Sequence, residues 1–127
     1  MSRFIDLTQP LTDHMSVYPG DRPPILEKTH EITRDGFNSY SLSTTVHAGT
    51  HIDGPMHLTD SREFIGEIPV ERFVGMGCIL NVSGEAVLSS KPGMEDQIIR
   101  NGIVLLHTGF GKKFGSEEYY RDYPVLG

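Results

Sequence analysis

A single cysteine, Cys78, occurs in the chain, so an internal disulfide is excluded and a reducing cytoplasm is the expected setting. Lying in the apolar run GCILNV, Cys78 reads as a small buried hydrophobe rather than a nucleophile. Long apolar runs are missing too. The longest unbroken one, Ile103-Val104-Leu105-Leu106, falls far short of the roughly 20 residues that cross a bilayer. The opening MSRFIDLTQPL lacks the apolar stretch of a secretory signal. No block of lysine or arginine appears. Eleven basic residues stand against 17 acidic ones, for a net charge of −6. A nucleic-acid partner, which needs a positive footprint, is therefore not expected. Repeats, low-complexity tracts and linkers are absent as well, so residues 1–127 read as one domain.

What is present is glycine and proline, 14 and 8 of them in 127 residues, spread throughout. That punctuation favours short strands and many turns. A chain of this length hides roughly two thirds of its unfolded surface on folding, enough for a core of its own. RFIDLT (3–8) reads as a first strand ended by Pro10, and VYPGDRPP (17–24) as irregular because three prolines forbid a ladder. ILEKTHEIT (25–33) and NSYSLSTTVH (38–47) flank Asp35-Gly36, a hairpin signal. Alternation along the second run puts Tyr40, Leu42, Thr44 and Val46 on one face. Ser39, Ser41, Ser43, Thr45 and His47 fall on the other. GCILNVS (77–83) and GIVLLHTG (102–109) read as buried strands of a parallel or mixed sheet covered on both sides. Short helices are expected around GMEDQIIR and after Ser116, a good N-cap followed by Glu117 and Glu118. The expected class is α/β.

Chemistry concentrates in HAGTHIDGPMH (47–57), which holds three of the six histidines with Asp53 between them. His47 and His51 have the i, i+4 spacing of helical metal ligands. Yet β-branched Val46, Thr50 and Ile52, together with Gly49, Gly54 and Pro55, exclude a helix here. Ala48 also stands where a zinc-protease helix H-E-x-x-H needs glutamate. The alternative is a strand that turns at Gly49 and resumes, converging His47, His51 and Asp53. Two imidazoles and a carboxylate suit Zn²⁺, and also Mn²⁺ or Fe²⁺. Three protein ligands leave the open position of a catalytic site, where water is acidified to a pKa of about 7. His57, beyond the Gly54-Pro55 turn, suits a proton-shuttling role. A hydrogen-bonded polar turn without metal is the competing reading of the same residues.

The segment resembles the cyclase-like metal-dependent hydrolases, whose signature H-x-G-T-H-x-D-x-P-x-H is matched in full by His47, Gly49, Thr50, His51, Asp53, Pro55 and His57. The likeness extends to Phe4-Ile5-Asp6-Leu7-Thr8, Val17-Tyr18-Pro19-Gly20-Asp21, Leu106-His107-Thr108-Gly109-Phe110, the stretch 115–120 and Tyr123-Pro124. The resemblance implies a three-layer β/β/α swivelling fold with a mixed sheet, assembled as a homo-oligomer (a dimer or larger). It implies His47, His51 and Asp53 as metal ligands, with Asp53 able to bridge two ions, His57 as the acid/base residue and Tyr18 as a substrate-ring contact. Tyr18 capping the proline loop is the plainer reading. The implied activity is hydrolysis of an amide bond in a small molecule such as N-formylkynurenine or isatin, with Zn²⁺ first and Mn²⁺ second as the cofactor. The family's further histidine and glutamate ligands have no counterparts before Gly127, so the chain is expected to be the N-terminal portion of a longer protein. A metal-binding but inactive fragment or subunit is the alternative this raises. His107 is expected to be structural, His14 and His30 to lie on the surface, and Lys112-Lys113 to be a solvated pair rather than a phosphate cradle.

Overall fold

A computed structural model describes residues 3–127. The chain divides into two compact units, Met1–Asp53 and Gly54–Gly127. Small sheets, antiparallel in the first unit and parallel in the second, accompany very short helices, in agreement with the α/β expectation.

In the first unit, β1 (Ile25–His30) and β2 (Ser39–Ser43) pair antiparallel, from Ile25 opposite Ser43 to His30 opposite Ser39, with a bulge between Lys28 and His30. The hairpin signal holds, but the connection is a helical turn, α1 (Ile32–Asp35), rather than a two-residue turn. Two side chains stabilise it. Asp35 accepts the Glu31 amide at 2.8 Å, and Asn38 Oδ1 accepts that of Ile32 at 3.0 Å. Gly36 then takes the left-handed conformation that ends the turn (φ 78°). The Arg34 guanidinium, and next the Glu31 N–H, hold the Asp35 carboxyl below its ordinary value. The chain before β1 is tied back to it, His14 N–H to the Pro24 carbonyl at 2.8 Å and Leu26 N–H to Asp13 Oδ1 at 2.9 Å. Met15, Pro24 and Ala48 are this unit's buried residues.

The expected strand over 3–8 does not form. Those residues are irregular, and Phe4 is 96% exposed. A strand exists through its partner, and none lies beside this segment. Asp6 instead accepts both the amide and the hydroxyl of Thr8, a local turn that competes with extended pairing. The alternation expected through His47 also stops early, because β2 ends at Ser43 and His47 lies in the turn that follows.

In the second unit, β3 (Gly77–Asn81) and β5 (Ile103–His107) pair in parallel, Gly77 opposite Ile103 through Asn81 opposite His107. The short β4 (Val87–Leu88) and β6 (Val125–Leu126) pair likewise. Gly77 is required by close approach, since a Cβ there would sit 2.8 Å from the Ile103 carbonyl oxygen. The expectation of strands covered on both faces is corrected. Leu80 and Val82 are buried, and with Val104, Leu106, Ile98 and Leu126 they line an apolar cavity of about 380 Å³. The opposite face carries Ile79, 67% exposed, and exposed Leu105. Cys78 is half-buried rather than buried.

The expected helices are reduced to 3-10 turns at Glu95–Gln97 and Glu117–Tyr120. Ser116 does not cap the latter with its side chain, because its hydroxyl donates backward to the Lys113 carbonyl at 2.7 Å. Lys113 lies over the Phe110 ring at 4.9 Å and pairs with Glu118. His107 ends β5 with Nδ1 3.4 Å from Ser83 Oγ. His14 is exposed, whereas His30 is half-buried and stacked on Phe37 at 4.6 Å. No helix among the described residues is long and apolar enough to cross a membrane.

Candidate metal centre

Three side chains converge at the end of the first unit because the chain after β2 folds back at Gly49, whose φ of 64° belongs to the left-handed region. His47 Nδ1 lies 3.3 Å from His51 Nε2. Asp53 Oδ1 faces both, 3.1 Å from His47 Nδ1 and 3.4 Å from His51 Nε2. The two imidazole side chains are about one third exposed and the carboxylate 52%, so the cluster is open to small molecules. Among the described residues this is the group of His, Cys, Asp and Glu side chains close enough to hold a metal ion.

The protonation of one ring follows from its partner. His51 Nδ1 is 2.9 Å from the Gly49 carbonyl oxygen, which can only accept, so Nδ1 carries the hydrogen. In the neutral ring, Nε2 then presents a lone pair toward Asp53. Two acceptors thus face each other at 3.4 Å, with His47 Nδ1 3.1 Å from one and 3.3 Å from the other, so a single donor or cation at the centre of the three atoms serves all of them. The donor set also passes a fit test by size. Ligands about 2.0–2.1 Å from a tetrahedral Zn²⁺ stand roughly 3.3–3.4 Å apart, and the edges here are 3.1, 3.3 and 3.4 Å. The Gly49 carbonyl on the far ring nitrogen is the usual support behind a metal-binding histidine.

The residues holding the loop were not evident from the sequence. Thr50 Oγ1 accepts the Gln9 amide at 2.8 Å, and Met15 Cε lies 3.3 Å from where a Gly49 Cβ would stand. The available signal was the Gly-Thr pair between the two histidines. Thr45, two residues before His47, has a buried hydroxyl oxygen without a hydrogen-bond partner among the described residues.

Tyr18 lies in the first unit, about half exposed, in a tight turn where its carbonyl accepts the Asp21 amide at 3.0 Å. His57 belongs to the second unit, in the 3-10 turn Pro55–His57 whose amide donates to the Gly54 carbonyl at 3.0 Å. The structure thus brings together His47, His51 and Asp53, and Tyr18, in the same unit, is not one of that group.

Residues 5–127 match the family model described as "Putative cyclase". The chain is 32% identical to a kynurenine formamidase of Bacillus cereus over 91 residues, 71% of this chain and 44% of that protein. A kynurenine formamidase of Bacillus anthracis is 31% identical with the same coverage. One of Bacillus cytotoxicus is 31% identical over 83 residues, 65% of this chain and 40% of that protein. The matched part therefore spans less than half the length of these relatives.

Proposed function

The chain belongs to the cyclase family, and from that premise we propose that it is a metal-dependent amidohydrolase acting on N-formyl aryl amides of the N-formylkynurenine type, with cyclic amides such as isatin as the second substrate class. One observation carries the metal reading over the polar turn. His47 Nδ1, His51 Nε2 and Asp53 Oδ1 form a triangle with edges of 3.1, 3.3 and 3.4 Å, the size of a tetrahedral cation's face. The names of the relatives motivate the substrate class.

His47 Nδ1, His51 Nε2 and Asp53 Oδ1 would hold the ion, Zn²⁺ first and Mn²⁺ second. The second oxygen of Asp53 would be available to a second ion. Such an ion supplies a Lewis acid that acidifies water to a pKa of about 7 and polarises a carbonyl. The water oxygen joins the formyl carbon, the carbon–nitrogen bond breaks, and the products are formate and the free amine. His57, four residues after Asp53 in the matched signature, is assigned the proton delivered to the departing nitrogen. Tyr18 is assigned the contact with the substrate's ring. The proposal keeps the β/β/α swivelling arrangement as one domain, since the family match runs through both compact units, and a reducing cytoplasmic setting for the lone Cys78.

Purified chain loaded with Zn²⁺ or Mn²⁺ is expected to release formate from N-formylkynurenine and simple aryl formamides, and to stop when a chelator removes the metal. Metal-loaded protein that leaves these substrates and isatin intact would be the contrary result.

A homo-oligomer is the expected assembly, because Ile79, Leu105 and other large apolar side chains lie exposed on the β3–β5 ladder. Light scattering on a sizing column should give a mass of at least twice the 14.1 kDa of one chain. A monomer across the concentration range would refute the assembly.

A further inference from the structure

We propose that Thr50 is a positioning residue whose hydroxyl latches the metal loop to the N-terminal segment and so keeps His51 aimed at the ion. This rests on the metal reading above and adds a role for a residue that ligates nothing.

Gly49 carries the carbonyl that fixes the His51 ring, at 2.9 Å from Nδ1. That carbonyl and the Thr50 amide belong to one planar peptide unit, so whatever holds Thr50 also aims the oxygen. Glycine restrains neither its φ nor its ψ, and Gly49 sits at φ 64°, so the peptide unit after it, which turns about ψ of Gly49 and φ of Thr50, meets little resistance on the glycine side. Left to itself, the unit could rotate, withdraw its oxygen from His51 and free the ring to turn or exchange tautomers. Contacts from residues 9–15 oppose this rotation. Thr50 Oγ1 accepts the Gln9 N–H at 2.8 Å, bridging 41 positions of sequence. Against Gly49 itself lie the buried Met15, with Cε 3.3 Å from a would-be Cβ, and the Gln9 carbonyl, 3.9 Å from the same point. The irregular segment before β1 therefore has a use that its lack of secondary structure hides: it is the fixed wall against which the metal loop is set.

The test measures Zn²⁺ affinity by competition with a chromophoric chelator, together with the His51 tautomer by nitrogen NMR of the metal-free chain. Thr50→Val preserves shape and removes the acceptor. It should weaken Zn²⁺ binding by about 10- to 100-fold, the usual effect of losing support behind a ligand. It should also shift His51 away from the Nδ1–H form, and Thr50→Ser should restore both. Gln9→Pro removes the donor from the other end and should reproduce the defect even if Thr50→Val fails to fold. Wild-type affinity and tautomer in both variants would overturn the latch while leaving the metal reading intact. A lower melting temperature without a tautomer change, unrescued by serine, would overturn it in favour of a merely structural role. A wild-type chain that binds no Zn²⁺ would instead overturn the metal reading itself.

Discussion

Asp53→Asn is expected to abolish tight divalent-metal binding while leaving the metal-free protein as stable as the wild type, or more so. Two opposite signs come from one substitution, and they separate the two readings of the His47–His51–Asp53 cluster. A structural zinc site with four ligands contributes about 10–16 kcal/mol, so one ligand accounts for roughly a quarter and its loss should cost on the order of 10²–10³-fold in affinity. Amide hydrolysis should fall with it. In the metal-free chain the same oxygen, Asp53 Oδ1, faces the lone pair of His51 Nε2 at 3.4 Å. With its Nδ2 in place of that oxygen, asparagine donates one N–H to His51 Nε2 and the other to His47 Nδ1 in the tautomer that accepts there, so the acceptor–acceptor contact becomes a hydrogen bond. A polar turn held by a protonated His51 against Asp53 predicts the reverse, since removing the carboxylate would strip an ion pair of its partner. Melting curves at neutral pH with a chelator present, set beside Zn²⁺ titrations, read both signs. A clear drop in metal-free stability with metal affinity unchanged would decide for the polar turn.

How much of this was readable in advance depends on how local each cause is. The three ligand candidates were readable because their types, their spacing and the helix-breaking residues between them all lie within HAGTHIDGPMH. The route to convergence was only half readable. Gly49 does redirect the chain, but from a turn that begins after Ser43 rather than from the end of a strand. The apolar runs that became β3 and β5 were recognisable for the same local reason, and their parallel pairing agrees with an apolar run's habit of lying in such sheets. Their burial was misjudged, because coverage of Ile79 or Leu105 is decided by whatever packs on them from elsewhere. RFIDLT shows the limit most plainly: β-prone residues made no strand where no partner was at hand and Asp6 could bind Thr8. The Thr50–Gln9 bridge was invisible for a related reason, since nothing near either residue announces a contact across 41 positions.

Gly49→Ala is expected to injure stability and metal binding together, which sets it apart from Asp53→Asn. A methyl group at φ 64° puts an L-residue into the left-handed region, at a cost of about 1–2 kcal/mol. The new Cβ would also come within 3.3 Å of Met15 Cε. Methionine is flexible and can withdraw, so the crowding adds less than the backbone strain does. The consequence for function comes from how the loop relieves that strain. Returning residue 49 to negative φ forces compensating changes in its own ψ and in φ of Thr50, and these turn the carbonyl, the hydrogen-bond partner of His51 Nδ1, out of place. Metal affinity should then fall by about 10- to 100-fold, as expected when a ligand's supporting partner is lost. Gly20, at φ 103° with open space around it, provides the control. Gly20→Ala carries backbone strain of its own outside the metal loop, so it should lower the melting temperature without touching Zn²⁺ affinity. If both alanine variants lose stability alike and both bind Zn²⁺ as the wild type does, the left-handed turn at Gly49 shapes the fold but not the site.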